Sequence, residues 1–191
     1  MNSLRSNVWL EVVFRYMHHA EQANDLPITL FEKGWYKFAR HEASPNFGAR
    51  PANTQINLIV IHSISLPPGV YGGGEVQQLF TNQLDWDAHP YFQSIRGLEV
   101  SSHFSIERQG KVWQFVSCDD RAWHAGASSY RGRDNCNDDS IGIELEGLEG
   151  GLFEAAQYGT LNALLKEIAQ QLTALLTHHS AFNNGLMIDL F

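Results

Sequence analysis

Three places in the chain carry side chains able to do acid–base or metal chemistry. His62 ends the apolar run of NLIVIHSIS (57–65), where a neutral imidazole can bind a metal or take a proton. SIGIELEG (140–147) carries Glu144 and Glu146. At positions i and i+2 of a strand they share a face, and a carboxylate there has to be solvated, paired or used. RAWHAG (121–126) sets Trp123 beside His124, a stacking surface next to a proton-active ring.

Each has a plainer reading. His62 can be a hydrogen-bonded histidine at the edge of a core, Glu144 and Glu146 can mark a wet sheet face, and Trp123 can anchor its loop. Two carboxylates on one strand also fit a glycosidase pair, for which inverting enzymes need about 6.5–9.5 Å. His89, His103, His178 and His179 have no partner that spacing identifies. The chain contains no HExxH, Walker, GxSxG or GxGxxG motif.

The elements that must position these residues are legible from pattern. Leu58 to Ile61 are apolar on both faces, which predicts a central strand over 56–61. PPGVYGGG (67–74) is a loop feeding a helical spacing of Val76, Leu79, Phe80 and Leu84. Alternation on both sides of Gln109-Gly110 predicts a β-hairpin over 102–117, with Phe104, Ile106, Trp113 and Phe115 as its buried side. Residues 118–139 read as loop and 140–147 as a strand. Leucines from Leu161 to Leu176, with Ile168, give one apolar face to a helix over 154–177. Strand, helix, hairpin, strand, helix predicts an α/β fold: a central mixed β-sheet flanked by helices, in one domain over 28–191. Residues 1–27 read as a peripheral extension.

The 191 residues are 43% hydrophobic with a formal charge of −8, and no Lys/Arg cluster offsets that charge. The balance argues against nucleic-acid and anionic-membrane partners. Cys118 and Cys136 are too few for a disulfide scaffold and read as free thiols. No secretory signal and no run of about 18 apolar residues is found, so the expectation is a cytoplasmic, soluble monomer.

The strings IVIHSISLPPGVYGG, VSSHFSIERQGKVWQFV, RAWHAGASSYRGRDNCND and SIGIELEG, in that order, resemble the zinc amidases of the peptidoglycan-recognition-protein superfamily. The likeness is to their cytosolic branch, which acts on 1,6-anhydromuramyl peptides, and it runs from about Ile28 to about Thr177. It implies Zn2+ as cofactor, His62 as the first metal ligand and Glu144 as the catalytic carboxylate. Trp123 and His124 would bind the anhydromuramyl sugar and the start of the stem peptide. The implied reaction is hydrolysis of the amide between the muramyl lactyl group and L-alanine during cell-wall recycling.

The family's remaining ligands lie in a segment of the form G-H-x-x-I-x-P-x-R-K-x-D-P-G. The chain runs THHSAFNNGLMIDLF there and has nothing of that form. The expectation is an amidase-like domain incomplete at its C-terminal side, lacking two zinc ligands, binding zinc weakly and turning over little substrate. The alternative is a non-catalytic muropeptide-binding module.

Overall fold

An apolar run such as LIVI has to be covered on both faces, and the chain does this by placing it inside a sheet. The computed structural model describes residues 30–177 and 187–190, with side chains through residue 172. Four short strands come first: β1 (Phe31–Glu32), β2 (Trp35–Tyr36), β3 (Arg40–His41) and β4 (Phe47–Gly48). The long strand β5 (Leu58–Ile64) follows, then the short helices α1 (Glu75–Phe80) and α2 (Pro90–Ser94). A hairpin of β6 (Phe104–Ile106) and β7 (Val112–Gln114) leads to β8 (Arg121–Ala122), β9 (Ser129–Tyr130) and β10 (Arg133–Asp134). The chain continues through β11 (Ser140–Glu146), helix α3 (Ala155–Thr177) and β12 (Met187–Leu190).

The main sheet has the order β12-β5-β11-β6-β7-β3. Its pairs are parallel except β6–β7, which is antiparallel. Both central strands are buried on two sides, as the expected mixed α/β architecture requires. Ile59 and Ile61 of β5, with Ile141, Ile143 and Leu145 of β11, pack against Leu161, Leu164, Leu165 and Ile168 of α3. Polar bonds fix that helix: buried Gln157 donates from Nε2 to the carbonyls of Ile106 and Glu146, at 3.1 and 3.0 Å.

The hairpin forms where alternation placed it, but its faces divide differently. Its five-residue connection sets Ile106 opposite Val112 and Phe104 opposite Gln114. Cross-strand partners share a face, so Trp113 and Phe115 lie opposite to Phe104 and Ile106. Phe104 and Ile106 join the α3 core. Phe115, with Trp113 beside it, joins a second cluster with Val76, Leu79 and Phe80 of α1 and Phe92 of α2. Alternation could not separate these faces because both are covered. The helix predicted after the Gly/Pro loop stops at Phe80, and Leu84 is buried beyond its end. The extension over 1–27, His178 and His179 lie outside the described residues.

Candidate active site

Strand period and register bring the candidate residues together. β11 runs parallel to β5 with Glu144 directly opposite His62. Ile141, Ile143 and Leu145 take the α3 face, so Ser140, Gly142, Glu144 and Glu146 share the opposite face with Leu58, Val60 and His62. That face is not wet. The 118–139 segment lies over it, and Cys136, with Ala125 and Tyr130 around it, packs on Leu58 and Val60.

The two glutamates have different surroundings. Glu146 is tied down, accepting from the backbone N–H of Gly72 at 2.5 Å and of Arg108 at 3.1 Å. This holds the 67–74 loop at the C-terminal end of the strands and leaves Glu146 unsuited to a glycosidase pair. Glu144 is buried too, but its Oε2 has no hydrogen-bond partner among the described residues. Burial pushes its carboxyl up to about 8. A buried, orphaned acid opposite a histidine has the character of a working group more than of a structural one.

His62 is half-buried, and burial pushes it down to about 4, so it is a neutral imidazole at ordinary pH. Its Nε2 lies 3.0 Å from His124 Nδ1, with the two rings edge to face. His124 Nε2 lies 3.0 Å from Ser140 Oγ. Both nitrogens of His124 are therefore engaged by protein, and the ring sits beneath His62. Its backbone N–H and that of Ala125 both donate to Asn137 Oδ1, at 3.0 and 2.8 Å. Trp123 exchanges bonds with Ser101 through its backbone, leaving its half-buried indole as a side wall.

A β-carbon on Gly142 would lie 2.5 Å from the His124 ring, so the absence of a side chain there makes room for that ring. Gly142→Ala is expected to destabilise the fold by about 1–3 kcal/mol through overpacking, and to displace His124. A denaturant titration and His124 ring resonances check both effects. A stable variant with unmoved resonances would contradict the close fit.

Spacing did not reveal His103 or Arg50. His103 is fully buried; its Nδ1 accepts from Gly142 N–H at 2.9 Å, which puts its one proton on Nε2, 3.1 Å from the Asp120 carbonyl. Burial first, then the neighbouring Arg50, pushes it down to about 3. Arg50 donates to the carbonyls of Cys118, Asn137, Asp138 and Ser140. An arginine in a turn-rich loop gives no local sign of acceptors so distant in sequence. His124 is likewise held well below the usual histidine range, by burial first and then by His103, His62, Arg50 and Arg121. His89 caps α2 instead, its Nδ1 accepting from Tyr91 N–H.

Among the described residues no group of three His, Cys, Asp or Glu side chains is placed to hold a metal ion. No helix among them is long and apolar enough to cross a membrane. Cys118 and Cys136 are free and buried.

Residues 52–185 match the N-acetylmuramoyl-L-alanine amidase family. The chain is 45% identical over 157 residues to the 1,6-anhydro-N-acetylmuramyl-L-alanine amidase AmpD of Citrobacter freundii, spanning 82% of this chain and 80% of that one. Against AmpD of Escherichia coli K12 the identity is 48% over 139 residues, covering 73% and 76%. A crystal structure of a selenomethionine AmpD derivative superposes with a TM-score of 0.72 at 45% identity, over 84% of this chain and 86% of that one.

Proposed function

The chain belongs to the N-acetylmuramoyl-L-alanine amidase family, and from that premise we propose that it hydrolyses the amide joining an anhydro-N-acetylmuramyl sugar to the L-alanine of peptidoglycan fragments during cell-wall recycling. The observation that carries the reading is the orphaned, buried Glu144 carboxyl in register with neutral His62.

These two residues fit part of a zinc site: an imidazole available as a ligand and a carboxyl with no other duty. His62 would hold the ion, and among the described residues no group of three donors is placed to complete its coordination. When bound, zinc would supply Lewis acidity toward the amide carbonyl and lower the pKa of the attacking water to about 7. Glu144 accepts a proton from the attacking water and passes it to the departing alanine nitrogen. Burial holds that carboxyl up to about 8, so the ionised form that accepts the proton is the minor one at neutral pH, and turnover should rise as pH climbs toward 8. Trp123 stacks on the sugar ring, and the loop pinned by Glu146 walls the end of the groove. His124 supports the site from below through His62. The protein works as a cytoplasmic monomer on soluble muropeptides.

The test is mass spectrometry of anhydromuramyl-tripeptide incubated with the protein. Because His62 is the one zinc donor assigned among the described residues, release of the tripeptide is expected to be slow, to rise with zinc above stoichiometry and to stop in EDTA. Intact substrate at saturating zinc would overturn the reading. If calorimetry then showed the same ligand bound in EDTA, the chain would be a muropeptide-binding module.

A further inference from the structure

We propose that Ser140 and His124 are positioning residues that fix the tautomer of His62, holding its proton on Nε2 and leaving Nδ1 bare as the nitrogen that does the site's chemistry. The inference rests on the functional reading only in its last clause; the proton order comes from hydrogen-bond accounting alone.

Ser140 has one hydroxyl hydrogen, and its Oγ lies 2.5 Å from the carbonyl oxygen of Cys136, which can only accept. The hydroxyl therefore donates to Cys136. Its oxygen, 3.0 Å from His124 Nε2, must accept there, which puts a proton on Nε2 of His124. A neutral imidazole has one N–H, so His124 Nδ1 is a lone pair. His62 Nε2, 3.0 Å away, must then donate to it, and Nδ1 of His62 carries no hydrogen. That nitrogen takes no hydrogen bond among the described residues. The order runs one way because it starts at a carbonyl.

Neutral rings are required, and the packing supplies them. Arg50 contacts His103, whose ring stands beside that of His124 with centroids 5.8 Å apart, and among the described residues no carboxylate hydrogen-bonds either ring of the His62–His124 pair. The ring of His124 fills the space over Gly142, so it cannot turn away to find another partner. A histidine that ligates a metal has its free nitrogen chosen by the bond the other nitrogen makes, and here that choice is relayed through a second histidine from a backbone carbonyl.

Long-range 1H–15N correlation on metal-free protein in EDTA reads the tautomers directly. His62 and His124 are both expected as Nε2–H, with pyridine-type Nδ1. In Ser140→Ala the Cys136 carbonyl loses its donor and His124 its acceptor, so His62 should show a second population with the proton on Nδ1. Ser140→Thr, which keeps the hydroxyl, should restore the single form. Zinc affinity should fall about 10–100-fold in Ser140→Ala and recover in Ser140→Thr. Should Ser140→Ala fail to fold, His124→Phe keeps a ring in place and removes the acceptor, and mixed His62 tautomers are expected there.

An Nδ1–H form of His62 in the parent protein overturns the relay, as does a His62 spectrum unchanged in both Ser140→Ala and His124→Phe. Because the spectra need neither metal nor substrate, lack of turnover would count against the amidase reading alone.

Discussion

Glu144→Gln is expected to give a protein that is more stable and nearly inactive. The two effects have one cause. In the native state the buried carboxyl keeps its proton up to about 8, whereas in an unfolded chain it ionises near 4.5. Its contribution to stability is thus fully present below pH 4.5 and is lost as pH rises through 8. At pH 7 the loss is on the order of 3 kcal/mol. Glutamine has the same shape and no charge, so it removes the penalty. Denaturant midpoints in EDTA should show Glu144→Gln well above the parent at pH 8, with the gap closing toward pH 5. Removal of the proton carrier should slow tripeptide release about 10²–10⁴-fold. A gap that does not change with pH would mean that the carboxylate is solvated. Undiminished turnover would take Glu144 out of the reaction.

Acid should unfold the metal-free protein over a narrow range, and the three histidines set the direction. Unfolded histidines gain protons near 6.5, while native His62 does so only at about 4 and His103 at about 3, with His124 also held low. Stability from these groups is present above 6.5 and drains away as pH falls toward the native values. Glu144 acts in the opposite sense, since its native form already holds a proton that the unfolded chain lacks. Three protons against one leave the unfolded state ahead by two between 6.5 and 4.5. The slope is then roughly 2–3 kcal/mol per pH unit. Against a typical total of about 5–15 kcal/mol, that slope brings unfolding within a few units below neutrality. Circular dichroism during acid titration in EDTA checks it, and His103→Gln should flatten the profile. A curve level down to pH 4 would show that the histidines are not buried as neutral rings.

Much of this was legible in the residues. The four-residue apolar run announced the central strand, and alternation in SIGIELE put Glu144 and Glu146 on one face. The ordered strings from IVIHSIS to SIGIELEG pointed to the amidase family. Periodicity could not divide the glutamates by role. That division depends on backbone donors from Gly72 and Arg108, reached only after the chain turns back. It also misassigned Trp113 and Phe115, because two covered faces look alike in a pattern of apolar positions. His103 and Arg50 gave no local sign, since their partners lie tens of residues away. RAWHAG read as a groove lining, yet the polar atoms of His124 turn inward to histidine and serine.

Arg50 has a consequence for the way this floor is held. Its acceptors on Cys118, Asn137, Asp138 and Ser140 lie 68, 87, 88 and 90 residues along the chain. Closing a loop of 90 residues costs roughly 2 kcal/mol more than closing one of nine. That entropy is lost once, with the first contact, and the remaining carbonyls then join the same guanidinium almost without further loss of chain freedom. The segment beneath His62 is therefore gained or given up as a unit. Local fraying is suppressed there although the segment has little regular secondary structure, and a single cation takes the place that a hydrogen-bonded ladder occupies elsewhere in the sheet.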